Sequence, residues 1–329
     1  MRGRRSALVD PNAANGMLEI LYRILGNVGQ FVSPEDRDLF YDVAVEPIPY
    51  GSYNAEACFP TPDPPFVLLD TGTVDFIGNI TALYQQLRAQ ANGTSTSLLS
   101  EQQVIDYIWA SALIYFDKAN EWEARRDAIH APKLMYSKIS PSLRQQCMSL
   151  GVAHLLFLVL HEIAHVIADA HGGFSKVSGL DIPGMLGEQF EEGFADTLAF
   201  DLIIRFSTHL PHRENAVALL SGVDCALSSI SLIQNTFPVH HDKENKIAFV
   251  AESFDHPLAC VRRQNFRAYV NERMSVFIEH AKTTGAPGFL SETADFDDLF
   301  RPYGEAILNG RMPSDEFQAA RNLARQVFG

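Results

Sequence analysis

The most apolar stretch of the chain lies at residues 150–168 and has the sequence LGVAHLLFLVLHEIAHVIA. Three histidines and Glu162 interrupt its apolar residues. A membrane-spanning helix needs about 18 or more apolar residues in a row. The stretch is therefore better interpreted as the central, buried helix of a globular protein.

Two histidines in this stretch have the spacing that suits a bound metal ion. His161 and His165 belong to a His-Glu-x-x-His pattern, and residues four apart on a helix lie one turn apart on the same face. Two imidazoles placed in this way can bind one zinc ion, with Glu162 beside them as general base for a zinc-activated water. The alternative is that both histidines are ordinary surface or core residues.

A catalytic zinc site needs a third protein ligand and an open fourth position. The next predicted helix carries Glu192 and Asp196, which also share one face. Glu192 can bind the zinc ion, while Asp196 can accept a hydrogen bond from the second ring nitrogen of His161. The small residues Gly193 and Ala195 are expected to let the two helices approach closely.

Two alternatives for this site stay open. Glu191 could be the third ligand in place of Glu192, although position 195 is alanine and leaves Glu191 without an acidic partner one turn later. Another divalent metal could occupy the site, but two imidazoles and a carboxylate with an open position suit zinc best.

The order of these motifs resembles that of the gluzincins, zinc metallopeptidases in which His-Glu-x-x-His is followed by a helix with Glu-x-x-x-Asp. The resemblance implies that His161, His165 and Glu192 are zinc ligands, that Glu162 is the base and that Asp196 orients a ligand. The phage-exclusion peptidases, which also have a mid-chain His-Glu-x-x-His, are a second family that the chain resembles.

A later element, His256-Pro257 followed by Arg262, resembles a motif of the HtpX and prenyl-protease-like peptidases. The resemblance implies that His256 stabilises the oxyanion of the tetrahedral intermediate and that Arg262 braces the site. Alternatively, His256-Pro257 only begins a helix, with proline in its first turn. The cluster of Arg262, Arg263 and Arg267 otherwise predicts the solvated face of that helix.

The composition limits the partners and the compartment of the protein. The chain of 329 residues has a formal net charge of −14, which argues against nucleic acid as the main partner. Its four cysteines form no Cys-x-x-Cys pair, and this favours a reducing compartment. No apolar segment follows the basic N-terminal residues, so we expect no secretory signal, no membrane span and a cytoplasmic location.

The pattern along the chain predicts a helix-rich α+β fold. Residues 43–80, which are rich in proline, predict two or three strands, and Ser100 with Gln103 predicts a capping box at the start of a helix. We expect one catalytic domain of two lobes, residues 1–171 with a small sheet and residues 172–329 with helices. The helices of the second half are predicted at 142–171, 187–206, 213–236, 257–282, 293–308 and 313–328.

Two other signals are weaker. Asp70-Thr71-Gly72 matches the loop of aspartic proteases, but that chemistry needs two aspartates and the chain has one such triplet. An ordinary turn after a strand is the simpler interpretation. His154 lies two turns before His161 and is more typical of a hydrogen-bonded core histidine than of a residue that supports the metal site.

These observations predict a soluble zinc endopeptidase that hydrolyses peptide bonds in a protein or peptide substrate. The resemblance to the gluzincins implies that the substrate binds along a sheet edge beside the site, and a strand near Lys133 to Lys138 is the candidate for that edge. The alternative is a gluzincin-like regulatory or binding module that acts on one partner protein without catalysis. The glycine-rich segment from Gly172 to Gly187 could cover the cleft. The sequence does not predict the oligomeric state.

Overall fold

A computed structural model describes most of the chain. The described residues are 11–48, 53–60, 63–95, 98–116, 139–173, 187–237, 239–242, 247–250, 258–274 and 289–319. The predicted strand near Lys133 to Lys138, His256, and most of the segment from Gly172 to Gly187 lie outside these residues.

Helices dominate the fold, as the sequence predicts. The helices are α1 (Pro11–Val28), α2 (Arg37–Asp42), α3 (Thr71–Ala91), α4 (Glu101–Phe116), α5 (Pro141–Ala170), α6 (Gly187–Thr208), α7 (Arg213–Thr236), α8 (Ala259–Arg273) and α9 (Phe289–Leu308). The strands are β1 (Ala44–Ile48), β2 (Ala55–Cys58), β3 (Phe66–Asp70), β4 (Val239–Asp242) and β5 (Ile247–Val250), and a 3-10 turn (Gly29–Phe31) follows α1.

Helix α5 is the centre of the structure and contains the apolar stretch quoted above. It packs against α1, α3, α6 and α7 and against strand β2. Ser140 caps its start by accepting a hydrogen bond from the backbone N–H of Leu143, and Pro141 occupies the first turn. At its end, Gly172 and Gly173 adopt φ values of 78° and 113°, which glycine adopts without strain.

A three-stranded sheet from the first half of the chain covers one side of α5. Strand β3 lies in the middle, parallel to β1 and antiparallel to β2. The backbone N–H of Asp70 donates to the carbonyl of Asn54, so these two residues form a hydrogen-bonded pair of the β2–β3 ladder. Because such pairs alternate, the backbone groups of Ala55 and Ala57 point away from β3. Among the described strands, β2 is thus an edge of the sheet, and it lies beside α5.

Close helix packing holds the second half of the chain against α5. Gly222 of α7 lies so near that a Cβ atom there would be 2.3 Å from the Cβ of Ala153. Only a residue without a side chain permits this approach. The helices predicted near 142–171, 187–206 and 213–236 correspond to α5, α6 and α7.

Several local predictions are confirmed and others are wrong. Ser100 and Gln103 form the reciprocal bonds of a capping box, at 2.9 and 3.3 Å. Three strands, β1, β2 and β3, lie within residues 43–80, as predicted, but residues 71–80 are helical because α3 begins at Thr71 directly after Asp70. The triplet Asp70-Thr71-Gly72 is therefore a strand-to-helix junction. The division into two lobes stays a prediction.

Two described helices, Leu143–Ala170 and Glu214–Thr236, are long and apolar enough to cross a membrane by length and composition alone. In each of them 83% of the apolar 18-residue stretch is buried inside the protein. Core helices of soluble proteins have this property as well.

A network of ion pairs joins α7, α8 and α9. The fully buried carboxylate of Asp224 accepts from Arg263 at 3.0 Å and from Arg267 at 2.7 Å. Arg263 also pairs with Asp297 at 2.7 Å, whose side chain is half exposed. The prediction that the arginine cluster is a solvated face is therefore wrong, since Arg263 is 7% exposed and turns inward toward a buried acid.

This network predicts a large difference between two similar substitutions. Asp224→Asn should lower the free energy of unfolding by about 3–5 kcal/mol, because it leaves Arg263 and Arg267 without their buried counter-charge. Asp297→Asn removes a half-exposed partner of the same Arg263 and should cost less than about 1 kcal/mol. Urea unfolding of both variants beside the wild type measures the difference, and equal losses would contradict the assignment.

Candidate metal centre

Small residues bring the two helices of the site together. Ala164 and Ala168 of α5 pack against Ala195 of α6 in a buried cluster of alanines. The sequence correctly predicts this role for Ala195. Gly193 has no such role, since a Cβ atom added there would meet nothing within 4 Å. The alanine contact brings the carboxylates of Glu192 and Asp196 on α6 within reach of the histidines of α5.

Three metal-binding side chains converge between these helices. The Nε2 atom of His161 lies 3.0 Å from Oε2 of Glu192. The Nε2 atom of His165 lies 3.4 Å from Oε1 of the same glutamate and 3.3 Å from Nε2 of His161. Glu192 is 9% exposed, whereas its neighbour Glu191 is exposed and does not belong to this group. The geometry thus favours Glu192 over Glu191 as third ligand.

These distances can be compared with what a zinc ion requires. Protein nitrogen and oxygen ligands lie about 2.0–2.2 Å from zinc, so at tetrahedral angles neighbouring donor atoms are about 3.3 Å apart. The separations of 3.0, 3.3 and 3.4 Å among the three side chains agree with this value. Two imidazoles and one carboxylate also form a donor set that zinc accepts. The residues present therefore fit a zinc ion.

A buried carboxylate orients the first of these histidines. Asp196 Oδ1 lies 2.9 Å from Nδ1 of His161, and Arg262 of α8 binds both oxygens of Asp196, at 2.6 and 2.8 Å. When Nδ1 donates to Asp196, the lone pair of Nε2 is directed at Glu192. A lone pair that faces a carboxylate at 3.0 Å requires a cation between them, either a proton or a metal ion.

The pKa values of the neighbouring groups also indicate that His161 attracts positive charge. Burial opposes protonation of His161, but hydrogen bonds to Asp196 and Glu192 raise its pKa to about 9. Burial by itself would raise the pKa of Asp196, but Arg262 and His161 lower it below its usual value. Asp196 is therefore an anion that attracts positive charge to His161.

Glu162 lies beside the group, as the motif predicts. Its Oε2 accepts a hydrogen bond of 2.9 Å from the backbone N–H of Ala57 on the edge strand β2. Burial raises the pKa of Glu162, while His161, His165 and the bond from Ala57 oppose that rise. The bond from Ala57 fixes one carboxylate oxygen and leaves Oε1 to interact with other groups.

A cleft of about 490 Å³ opens onto these side chains. One wall is strand β2 with the following residue Phe59, and the other is formed by the ends of α5 and α6 that face it. Its described lining residues are Asn54, Ala55, Glu56, Ala57, Phe59, Glu162, His165, Asp169, Gly173, Glu191 and Glu192. Two of the candidate metal ligands, His165 and Glu192, and the candidate base Glu162 thus border space that can accept a ligand.

The structure brings together all but one of the predicted site residues. His161, His165, Glu192, Glu162, Asp196 and Arg262 form one cluster. His256 lies outside the described residues, so its predicted role stays a prediction. The guanidinium of Arg262 also lies 5.4 Å from the centre of the Phe157 ring, one turn before His161. Its side chain is buried and braces Asp196, in contrast to the predicted solvated face.

Sequence reasoning missed two features near the site. The backbone contact from Ala57 to Glu162 leaves no trace in residue identity, because any residue except proline donates this bond. The second is Tyr53, whose hydroxyl lies 2.9 Å from the fully buried His154 and is its hydrogen-bond partner. Burial lowers the pKa of His154 to about 3, so it is a neutral core residue, in agreement with the prediction.

Comparisons with known proteins do not identify a family. No protein-family model matches the chain, and neither a curated protein nor a solved structure matches it significantly. The site must therefore be interpreted from its own geometry and chemistry.

The contact between Asp196 and His161 predicts the effect of a neutral substitution. Asp196→Asn should weaken zinc binding by about 10–100-fold, because His161 loses the carboxylate that orients it. Competition with a chromogenic chelator measures this affinity. Asp201→Asn, on the same helix but paired with Arg205, should bind zinc like the wild type.

A second variant separates the metal effect from a folding effect. Asp196→Asn leaves Arg262 buried without its carboxylate, which by itself destabilises the protein. The double variant Asp196→Asn/Arg262→Gln removes that cation as well and should recover stability while its zinc affinity stays low. Wild-type affinity in a folded double variant would show that Asp196 does not support the site.

Proposed function

We propose that the protein is a zinc-dependent endopeptidase with a gluzincin-like site. The observation that carries the proposal is the convergence of His161 Nε2, His165 Nε2 and the Glu192 carboxylate at 3.0–3.4 Å beside a fourth residue, Glu162, at an open cleft. Three protein ligands, an accessible position and a nearby carboxylate are typical of catalytic zinc sites, whereas structural zinc sites are closed by four protein ligands.

A zinc ion bound by His161, His165 and Glu192 would lower the pKa of water to about 7 and polarise the carbonyl of the substrate. Glu162 accepts a proton from the attacking water through Oε1, while the N–H of Ala57 holds Oε2. The water oxygen forms a bond to the amide carbon, the carbon–nitrogen bond breaks, and Glu162 returns the proton to the leaving nitrogen. Asp196 and Arg262 keep His161 oriented throughout.

The edge strand supports a peptide as the substrate. The backbone groups of Ala55 and the carbonyl of Ala57 point away from β3, toward the side on which Glu162 binds Ala57. None of the described strands pairs with β2 on this side, so an extended peptide can pair with the edge and place one of its amides near Glu162. The cleft that β2 borders is open to solvent, so a segment in the middle of a longer chain can enter it and be cleaved there. The net charge of −14 disfavours nucleic acid as substrate.

One observation favours a second candidate, a binding module without catalytic metal. With a pKa of about 9, His161 can hold a proton between Asp196 and Glu192 and form ion pairs with both. The group would then be a buried charge network and the cleft a surface for one partner protein. Metal content distinguishes this candidate from the peptidase.

Elemental analysis tests the metal centre directly. The purified wild type should contain about one zinc ion per chain, while His161→Ala and Glu192→Ala should both lose it because two donor atoms hold zinc poorly. Glu191→Ala is the matched control and should retain zinc, since Glu191 is exposed and outside the group. A wild type without zinc, even after reconstitution, would favour the binding module.

The second test concerns the base. Glu162→Gln should lower kcat for hydrolysis of unfolded casein by about 10²–10⁴-fold, because the amide cannot accept the proton of the attacking water. Its zinc content should equal that of the wild type. Glu305→Gln, an equivalent change on the exposed face of α9, should leave the rate unchanged. Wild-type activity in Glu162→Gln would refute the mechanism.

A further inference from the structure

The charged side chains among the described residues that line the cleft are all acidic. Besides Glu162 and Glu192, three carboxylates line it, namely Glu56 of β2, Asp169 of α5 and Glu191 of α6. No lysine or arginine is among the described lining residues. The three elements that carry these acids surround the cleft, so a ligand inside it experiences negative potential from several sides.

These three acids differ from the acids of the interior. Asp196 and Asp224 are buried and each is paired with arginine. Glu56, Asp169 and Glu191 are exposed, and among the described residues none of them forms a salt bridge. Their charge is therefore not neutralised by the described part of the chain.

An aromatic side chain lies in the same cleft. Phe59 follows β2 directly and is 47% exposed, although a large apolar side chain is stabilised by burial. An aromatic face beside carboxylates suits the side chains of lysine and arginine. Their methylene groups pack against the ring, while the cationic head lies over its face or pairs with an acid. Phe59 thus indicates the same kind of ligand as the charges do.

We propose that the cleft selects substrate segments that carry lysine or arginine, through Glu56, Asp169, Glu191 and Phe59. This inference rests on the proposed peptidase function and adds the substrate class to it. A glutamate or aspartate in the same place meets several carboxylates and is disfavoured. One exposed ion pair contributes about a twofold to fivefold preference for lysine over a neutral residue, and repulsion disfavours glutamate by a similar factor, so the lysine-to-glutamate ratio should be about tenfold.

The experiment uses quenched fluorescent peptides that differ at a single residue. In a set of otherwise identical peptides of alanine, leucine and glycine, lysine, glutamine or glutamate is placed at each position in turn. At one or more positions the wild-type zinc protein should cleave the lysine peptide with a kcat/KM about tenfold higher than that of the glutamate peptide, with glutamine between them. Added salt should reduce this ratio.

A triple variant shows whether the three named acids cause the preference. Glu56→Gln/Asp169→Asn/Glu191→Gln should bring the lysine-to-glutamate ratio to within about twofold. The matched control Glu272→Gln/Glu305→Gln/Glu316→Gln removes the same charge from exposed positions that do not line the cleft, and it should retain the ratio. The same ratio in the cleft variant and in the wild type would overturn the proposal.

Binding to the Glu162→Gln protein separates failure of this inference from failure of the peptidase function. Fluorescence anisotropy measures the affinity of that protein for the same peptides. Tighter binding of the lysine peptide without cleavage by the wild type would support the charge preference and refute the peptidase function. Cleavage of all three peptides at equal rates would support the function and overturn the inference.

Discussion

A single buried carboxylate connects the core of the protein to its candidate site. Asp196 of α6 lies next to His161 of α5 and accepts two hydrogen bonds from Arg262 of α8. The consecutive helices α5 and α6 are therefore joined to the later helix α8 at one charged group. A buried carboxylate is stable only when its charge is compensated and its oxygens are hydrogen-bonded. Packing of α8 and orientation of the histidine consequently depend on each other.

The arrangement of the metal-binding atoms follows from that contact. Once Asp196 has bound Nδ1 of His161, the Nε2 atom is directed at Glu192 and His165. The alanine cluster keeps α5 and α6 close enough for this to happen without long side chains. The side chains of His161, Asp196 and Arg262 are buried and hold one another by hydrogen bonds, so little side-chain entropy remains to be lost when a ligand binds.

Charge is distributed differently in the interior and in the cleft. Inside the protein, Asp196 and Asp224 each form a salt bridge with an arginine, so their charges are compensated and hold neighbouring helices together. In the cleft, Glu56, Asp169 and Glu191 have no such counter-charge among the described residues. A protein gains no stability from gathering like charges around a cavity, since they repel one another. The distribution is more readily explained by a cationic ligand.

Local geometry explains how much could be predicted from the sequence. Residues four apart on a helix share a face, so the sequence could place His161 with His165 and Glu192 with Asp196 as candidate residues of one site. The capping box and the buried character of residues 150–168 depend on neighbouring residues in the same way. The helix-rich α+β class was predicted from such periodic patterns.

Only the tertiary structure decided the contacts between distant segments. The sequence pattern of α8 does not show which of its faces is buried, so two predictions for Arg262 were possible, a contact with the site or a solvated side chain. The packing of α8 against α6 decides between them, because it brings Arg262 onto Asp196. The bond from Ala57 to Glu162 uses a backbone group that every residue but proline has, so it depends on where β2 lies. The sequence by itself thus determined which candidate metal-binding side chains share a helix face. Chain topology determined their partners and the charge of the cleft, because these depend on distances between segments far apart in the chain.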